Sequence, residues 1–344
     1  MFAKQTPWSV AIVVALGCAW RPAWAGPGTG TFTIGAGYST DDKFQLGARV
    51  AQPDLLGTGV GLSLDAFLSS REQSFVLAVS EPNVTRGGTG LRAELYDTTH
   101  RYPDFTRHAT GARFELTVPI APHVRGFVGA RFEHVDVTAT VARVTPEDRV
   151  IATDQSRYAV AAALAGVEYS TVPAGILPSR GSSIGASIEI ADRALGSDVQ
   201  FLHTRAWMQH HRTLGPFVLH LDARVESEHG GPRSELLQFD GSSVVRGYVP
   251  GQLGPHDSLT GAALGGELAA SARVELELPL SRRYGLSLVG FLDAGGLVGP
   301  EGGSAGAAAG IGLLWRSPIG PLRIDYAIPI DGRPTPVISF GTRF

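Results

Sequence analysis

Gly181-Ser182-Ser183-Ile184-Gly185 has the spacing of a serine nucleophile held on a tight elbow, which would serve acyl transfer. Such an elbow needs a strand before it and a helix after it. This pattern opens a strand behind a proline-rich turn, so the match carries no nucleophile. His203, His210 and His211 are side chains a metal would accept, but neighbours on a strand point to opposite faces, so at most two could converge. They read as structural or interfacial residues. No phosphate loop, haem motif or carboxylate pair in an identifiable catalytic cleft is present; no cofactor and no metal are expected, and an enzyme is the least favoured class. What remains is a single charge. Arg246 lies in Val244-Val245-Arg246-Gly247-Tyr248, within a polar insertion over about 227–266 rich in Gly, Pro, Ser and His. Loops this long inside a compact domain are usually functional or disordered, and the apolar residues around Arg246 suit burial. The insertion is expected to fold inward.

The elements that must hold this arginine belong to an exported chain. Lys4, an apolar run from Trp8 to Trp20 and the small-x-small triplet Ala23-Trp24-Ala25 read as a signal peptide over residues 1–25, removed before Gly26. A lipid anchor on Cys18 is the rival, but Ala15 stands where leucine is usual. Loss of the leader leaves no cysteine, which excludes disulfides and thiolate metal sites. It also removes Lys4 and Arg21, leaving 27 basic against 32 acidic residues, a net charge of −5. That balance gives no case for nucleic acid. The longest apolar run past the leader, Ala159 to Val167, falls far short of the ~20 residues a spanning helix needs. Glycine, 44 residues in all, is spread among Val, Phe, Tyr and Thr instead of being gathered into linkers. Residues 26–344 read as one all-β domain.

Alternation of period two runs through this domain. In 216–226, Phe217, Leu219, Leu221, Ala223 and Val225 oppose Val218, His220, Asp222, Arg224 and Glu226. Val274, Leu276, Leu278 and Leu280 oppose Arg273, Glu275 and Glu277, while Leu322, Ile324, Tyr326 and Ile328 oppose Arg323, Asp325 and Ala327. A charged face cannot enter a dry core, and so apolar a face is not left in water. A wall between lipid and a wet lumen satisfies both conditions. Sixteen such segments are predicted, at about 31–39, 43–51, 59–69, 72–80, 89–98, 107–118, 123–136, 156–170, 183–192, 199–211, 216–227, 267–279, 285–296, 306–316, 320–330 and 335–344. An even number suits a closed antiparallel transmembrane β-barrel, with mostly short turns on the periplasmic side and longer loops outside. The longer pieces are placed at 99–106, 139–155, 228–266 and 297–305. Arg246 then belongs to the sixth surface loop, folded into the lumen. Trp207, Trp315 and tyrosines near strand ends suit the membrane interfaces.

Val245-Arg246-Gly247-Tyr248 resembles the V-R-G-F/Y loop motif of the BamA/TamA superfamily of outer-membrane assembly barrels, also described as bacterial surface antigen-type barrels. Further likenesses follow in order. Arg273-Val274-Glu275-Leu276-Glu277-Leu278-Pro279 resembles the strand after that loop, and Gly290-Phe291-Leu292-Asp293-Ala294-Gly295 the F-x-D-x-G strand. The run from Gly310 to Ala327 is similar to G-x-G-x-x-W-x-S-P-x-G-P-L-R-x-D-Y-A, and Asp54-Leu55-Leu56-Gly57-Thr58-Gly59 fits the first periplasmic turn. The resemblance implies that Arg246 pairs with Asp293 and with Glu275 on the inner wall, where a planar guanidinium suits carboxylates. Gly247 would allow close backbone approach beside it and Tyr248 completes the motif. Phe340 and Phe344 resemble the C-terminal strand signal read by the assembly machinery. The last strand would meet the first, near 31–38, at a weak seam that opens sideways; Gly35 and Gly37 weaken that first strand.

This resemblance implies a barrel in the outer membrane of a Gram-negative bacterium that assists insertion, assembly or translocation of client proteins. Family members carry POTRA domains ahead of the barrel. Here only 26–30 separate the expected cleavage site from the first strand, so a barrel-only member is expected. Its partners would be outer-membrane lipid, client proteins and a separate POTRA-bearing periplasmic protein. A passive pore or structural surface barrel is the alternative.

Overall fold

A computed structural model describes residues 30–139, 156–173, 178–258, 261–281, 283–317 and 320–340. The expected leader and Phe344 lie outside these residues. Sixteen strands form one closed antiparallel barrel in which each strand pairs with its neighbours in sequence and the first pairs with the last. They are β1 (Thr31–Ser39), β2 (Lys43–Gln52), β3 (Gly61–Leu68), β4 (Glu72–Glu81), β5 (Gly90–Arg101), β6 (Phe105–Ala121), β7 (Val124–Ala139) and β8 (Arg157–Ser170). The second half comprises β9 (Gly181–Ala191), β10 (Phe201–Leu214), β11 (Phe217–Gly230), β12 (Leu268–Ser281), β13 (Leu286–Gly299), β14 (Gly302–Ser317), β15 (Gly320–Pro329) and β16 (Thr335–Phe340). Closure leaves no strand edge to be desolvated, which is why a sheet can cross lipid in this form.

The alternation sorts the side chains as the sequence requires. On β12, Val274 and Leu276 are exposed outward while Arg273, Glu275 and Glu277 point in, and on β15 Ile324, Tyr326 and Ile328 face out against Asp325 and Ala327. The same holds on β6, where Phe114, Leu116 and Val118 are outward. These exposed apolar residues form the lipid-facing belt.

Two expected loops are strand instead. Residues 297–305 form a tight hairpin: β13 and β14 stay paired to Gly299↔Gly302. The glycines that suggest a loop there stand where the hairpin packs beneath the long insertion; a Cβ on Gly266 of the insertion would come within 2.7 Å of Leu297. Residues 99–106 likewise are largely strand, with β5 and β6 paired from Arg101↔Thr106. Their polar outward residues mark a wall that rises past the apolar belt, where Asp97 meets His108 at 3.0 Å and Thr110 at 2.7 Å.

The long connection, 231–267, lies between β11 and β12. Its two arms meet through mutual backbone hydrogen bonds between Leu237 and Gly266. Its middle forms a buried apolar cluster of Phe239, Val245, Tyr248 and Leu253 with Leu297 and Ala308 of the wall.

Candidate functional site

Arg246 is carried into the barrel by a short turn. Gly241–Ser243 forms a single 3-10 turn, and Val244 and Val245 both return backbone hydrogen bonds to Gly241. Arg273 of β12 holds that turn from the wall, its Nε donating to the Val244 carbonyl at 3.0 Å and its Nη2 to the carbonyls of Ser242 and Ser243. Gly247 follows with φ +89°, a left-handed conformation costly for any residue with a Cβ. A Cβ there would also lie 2.8 Å from Pro329, so the loop backbone rests directly on β15.

Arg246, 5% exposed, meets three strands. Its Nε and Nη2 donate to the two oxygens of Asp293 on β13, each at 2.6 Å, and its backbone N–H donates to the same carboxylate at 3.1 Å. Nη1 reaches Glu275 of β12 at 2.7 Å and Asp325 of β15 at 3.0 Å. The guanidinium Cζ lies 3.5 Å from the centre of the Phe291 ring, a cation–π contact strengthened by desolvation. Arg323 completes the set, bridging Glu275 at 2.8 Å and Asp325 at 2.7 Å. Gly312 on β14 makes room: a Cβ there would sit 1.8 Å from an Asp325 oxygen.

Charge is balanced in this cluster, with Arg246, Arg273 and Arg323 against Glu275, Asp293 and Asp325. Burial alone would favour discharging Arg246. The hydrogen bonds to Asp293 and the charges of Glu275, Asp293 and Asp325 outweigh it and raise its pKa above the ordinary arginine value. The site can therefore hold a permanent cation in the lumen and fix the loop geometrically. Tyr248 is seated beside it, its hydroxyl donating to Asp331 with the Ala307 carbonyl 3.4 Å away. Burial and the bond to Asp331 push that hydroxyl up to about 12.

The structure thus brings together Arg246, Gly247, Tyr248, Asp293 and Glu275. Phe340 stands opposite Tyr38 and Leu322 in the backbone register. Sequence reasoning did not single out Asp325, Arg323 or Arg273 as site residues, although Asp325 and Arg323 share the inward face that the alternation of β15 reveals. Also missed was Glu277, which binds Arg316 at 2.7 Å, Ser287 at 2.6 Å and His220 at 3.3 Å. The three histidines go to different partners: His203 to Glu226 and Glu228, His210 to Ser182 at 2.7 Å, and His211 to His220 at 2.9 Å. Among the described residues no group of His, Cys, Asp and Glu is placed to hold a metal ion. Ser183, central in the serine pattern, donates to Glu168.

A closed sixteen-stranded wall, apolar outside and charged inside, with a loop arginine fixed to its inner face, defines an outer-membrane β-barrel. The sequence profile of the Omp85 superfamily domain matches residues 54–344, and the chain belongs to that superfamily. It is 25% identical over 322 residues to the outer membrane protein assembly factor BamA of Nitratidesulfovibrio vulgaris, covering 88% of this chain and 39% of that protein. To BamA of Neisseria meningitidis serogroup B it is 26% identical over 366 residues, covering 89% and 45%. The chain thus spans less than half the length of these two relatives. In fold it is similar to the crystal structure of BamA from Haemophilus ducreyi lacking POTRA domains 1–3, with a TM-score of 0.78, 21% identity, and 91% and 70% of the two chains covered.

Proposed function

We propose that this barrel assists the insertion, assembly or translocation of other proteins at the outer membrane, by parting its wall between β1 and β16 while the loop held at Arg246 keeps the remaining strands in shape. The observation that carries this reading is the narrowness of that junction. Among the described residues β1 and β16 are in register only at Tyr38↔Phe340 and Ser39↔Ser339, with Thr40 adding a backbone bond to Ile338. Every other neighbouring pair is joined over a longer ladder. Over the same residues of β16, Thr335–Phe340, β15 pairs at six positions and β1 at two, and fewer ladder bonds lower the cost of separating two strands in a medium that offers no other partner. The relatives named as assembly factors fit this reading. In it, Arg246 with Asp293 and Glu275 is the lumen lock, Phe340 and Phe344 form the strand signal by which the barrel itself is delivered, and a separate POTRA-bearing protein captures clients. The chain carries out no covalent chemistry and uses no cofactor.

The test is reconstitution of the purified barrel in liposomes with an unfolded outer-membrane barrel as client, following the client's heat-modifiable folding and the conductance of the same vesicles. Accelerated client folding without a steady open conductance is expected. Steady conductance with no acceleration would replace the reading by that of a passive pore.

A further inference from the structure

We infer that the sixth loop has a second buried charge fastening, on the wall away from Arg246, and that Glu235 is its positioning residue. Eleven residues before Arg246, the descending arm of the loop passes the inner face of β5–β9. There Glu235 accepts hydrogen bonds from Arg107 of β6, at 2.7 Å from Nη2 and 3.2 Å from Nε, and from the Tyr158 hydroxyl of β8 at 2.7 Å. Its neighbour Ser234 lies 2.6 Å from the same hydroxyl. Arg131 of β7 stands 3.9 Å from the other Glu235 oxygen and binds Glu189 of β9 at 2.6 Å. Glu133 of β7 joins Arg131 at 2.7 Å, pairs with Arg107, and accepts from Tyr96 of β5 at 2.8 Å.

Beneath these charges lies an apolar floor of Ala109, Val135, Tyr158, Val160 and Phe201, all buried. A network so enclosed is costly if left incomplete, because removing one carboxylate strands arginines that water reaches poorly. Neither wall adjoins the other: β10 and β11 separate them on one side, and β16 with β1–β4 on the other. The loop is therefore a strut across the lumen, with buried charge moorings at Glu235 on one wall and Arg246 on the other, and with Asp41 and Arg71 of the β1–β2 and β3–β4 turns holding Ser242 and Asp240 between them. This follows from the contacts alone and stands whether or not the barrel inserts proteins.

Hydrogen–deuterium exchange of the folded full chain, read segment by segment, tests it. Glu235→Gln should speed exchange at 234–240 by about tenfold or more while 244–248 changes little, and Arg246→Ala should do the reverse. Glu235→Asp, which keeps the charge, should restore part of the protection at 234–240. Tyr158→Phe removes one hydroxyl without changing charge, and carries the test should the glutamate variant fail to fold. Release of 234–240 by Arg246→Ala alone would overturn the proposal, since 234–240 would then depend on Arg246 and not on a fastening of its own. So would unchanged exchange at 234–240 in both Glu235→Gln and Tyr158→Phe.

Discussion

The β1–β16 seam and the β6–β7 ladder are built from the same kinds of residue and differ in how far they pair among the described residues. β6 and β7 are paired from Phe105↔Ala139 to Ala121↔Val124, with one irregularity between Pro119 and Ala121. β1 and β16 meet only at Tyr38–Ser39 and Ser339–Phe340 among the described residues, and β1 offers Gly35 and Gly37 where a side chain would add packing. Both walls present the apolar face lipid demands and a polar inner face, so side-chain chemistry does not decide where the barrel is weakest. In the reading proposed above, the extent of pairing does: over Thr335–Phe340, β16 pairs with β15 at six positions and with β1 at two.

The sharpest way to break this comparison is to join each pair covalently. Opposed residues in an antiparallel pair lie within reach of a disulfide. Ser39→Cys with Ser339→Cys should reduce client folding in the reconstituted assay to the uncatalysed level, with recovery on reduction. Thr110→Cys with His134→Cys, opposed on β6 and β7, should leave it unchanged. Equal activity in both crosslinked barrels would remove the seam from the mechanism.

The next largest effect concerns the loop that holds the long-ladder walls. Arg246→Ala leaves Asp293 buried without its partner, and a loss of about 3–5 kcal/mol in barrel stability is expected. Urea titration of the heat-modifiable form measures it. The pair Arg246→Asp with Asp293→Arg should recover part of that loss; a swap no better than the single change would deny the pair its specificity. Gly247→Ala is milder, about 1–3 kcal/mol, from the left-handed backbone and the approach to Pro329.

The smallest effect lies at the tip of the β1–β2 hairpin, beside the seam. Asp41 accepts from the Ser242 N–H at 2.8 Å. Burial pushes its pKa up to about 6, assisted by Asp240 and Asp42 and opposed by the Ser242 hydrogen bond and Arg71. Because the folded value lies above the ordinary 3.8, protonation favours the folded form, and stability contributed here falls as pH rises through about 6. Asp41→Asn should therefore raise the melting temperature at pH 8 by a few degrees, with the gain vanishing below about pH 4, where both side chains are neutral. A constant gain across pH would place the effect elsewhere.

Strands, their number and their faces were legible because period-two alternation is imposed by lipid on one side and water on the other. Leu297 to Ala305 misled for a physical reason: Gly296, Gly299, Gly302 and Gly303 carry no pattern, yet they pair normally under the loop. Arg246 was marked by its apolar neighbours, and its pairing with Asp293 and Glu275 was suggested by likeness to a family. Asp325 and Arg323 were visible as inward charges without any sign of which partner they faced. The Glu235 network was not legible at all. Glu235 and Arg107 are 128 positions apart, and their meeting depends on the path of a loop that no periodicity describes.

The order of the two moorings along the chain has a consequence for assembly. The wall that receives Glu235 is β5–β9, made before the loop. The carboxylates that receive Arg246 are on β12, β13 and β15, made after it, and Asp325 follows Arg246 by 79 positions. Contacts with strands already in place can form early, whereas those to later strands wait for them to arrive. Seating of the arginine thus coincides with arrival of the penultimate strand, and a filled arginine pocket is the mark of a barrel ready to close.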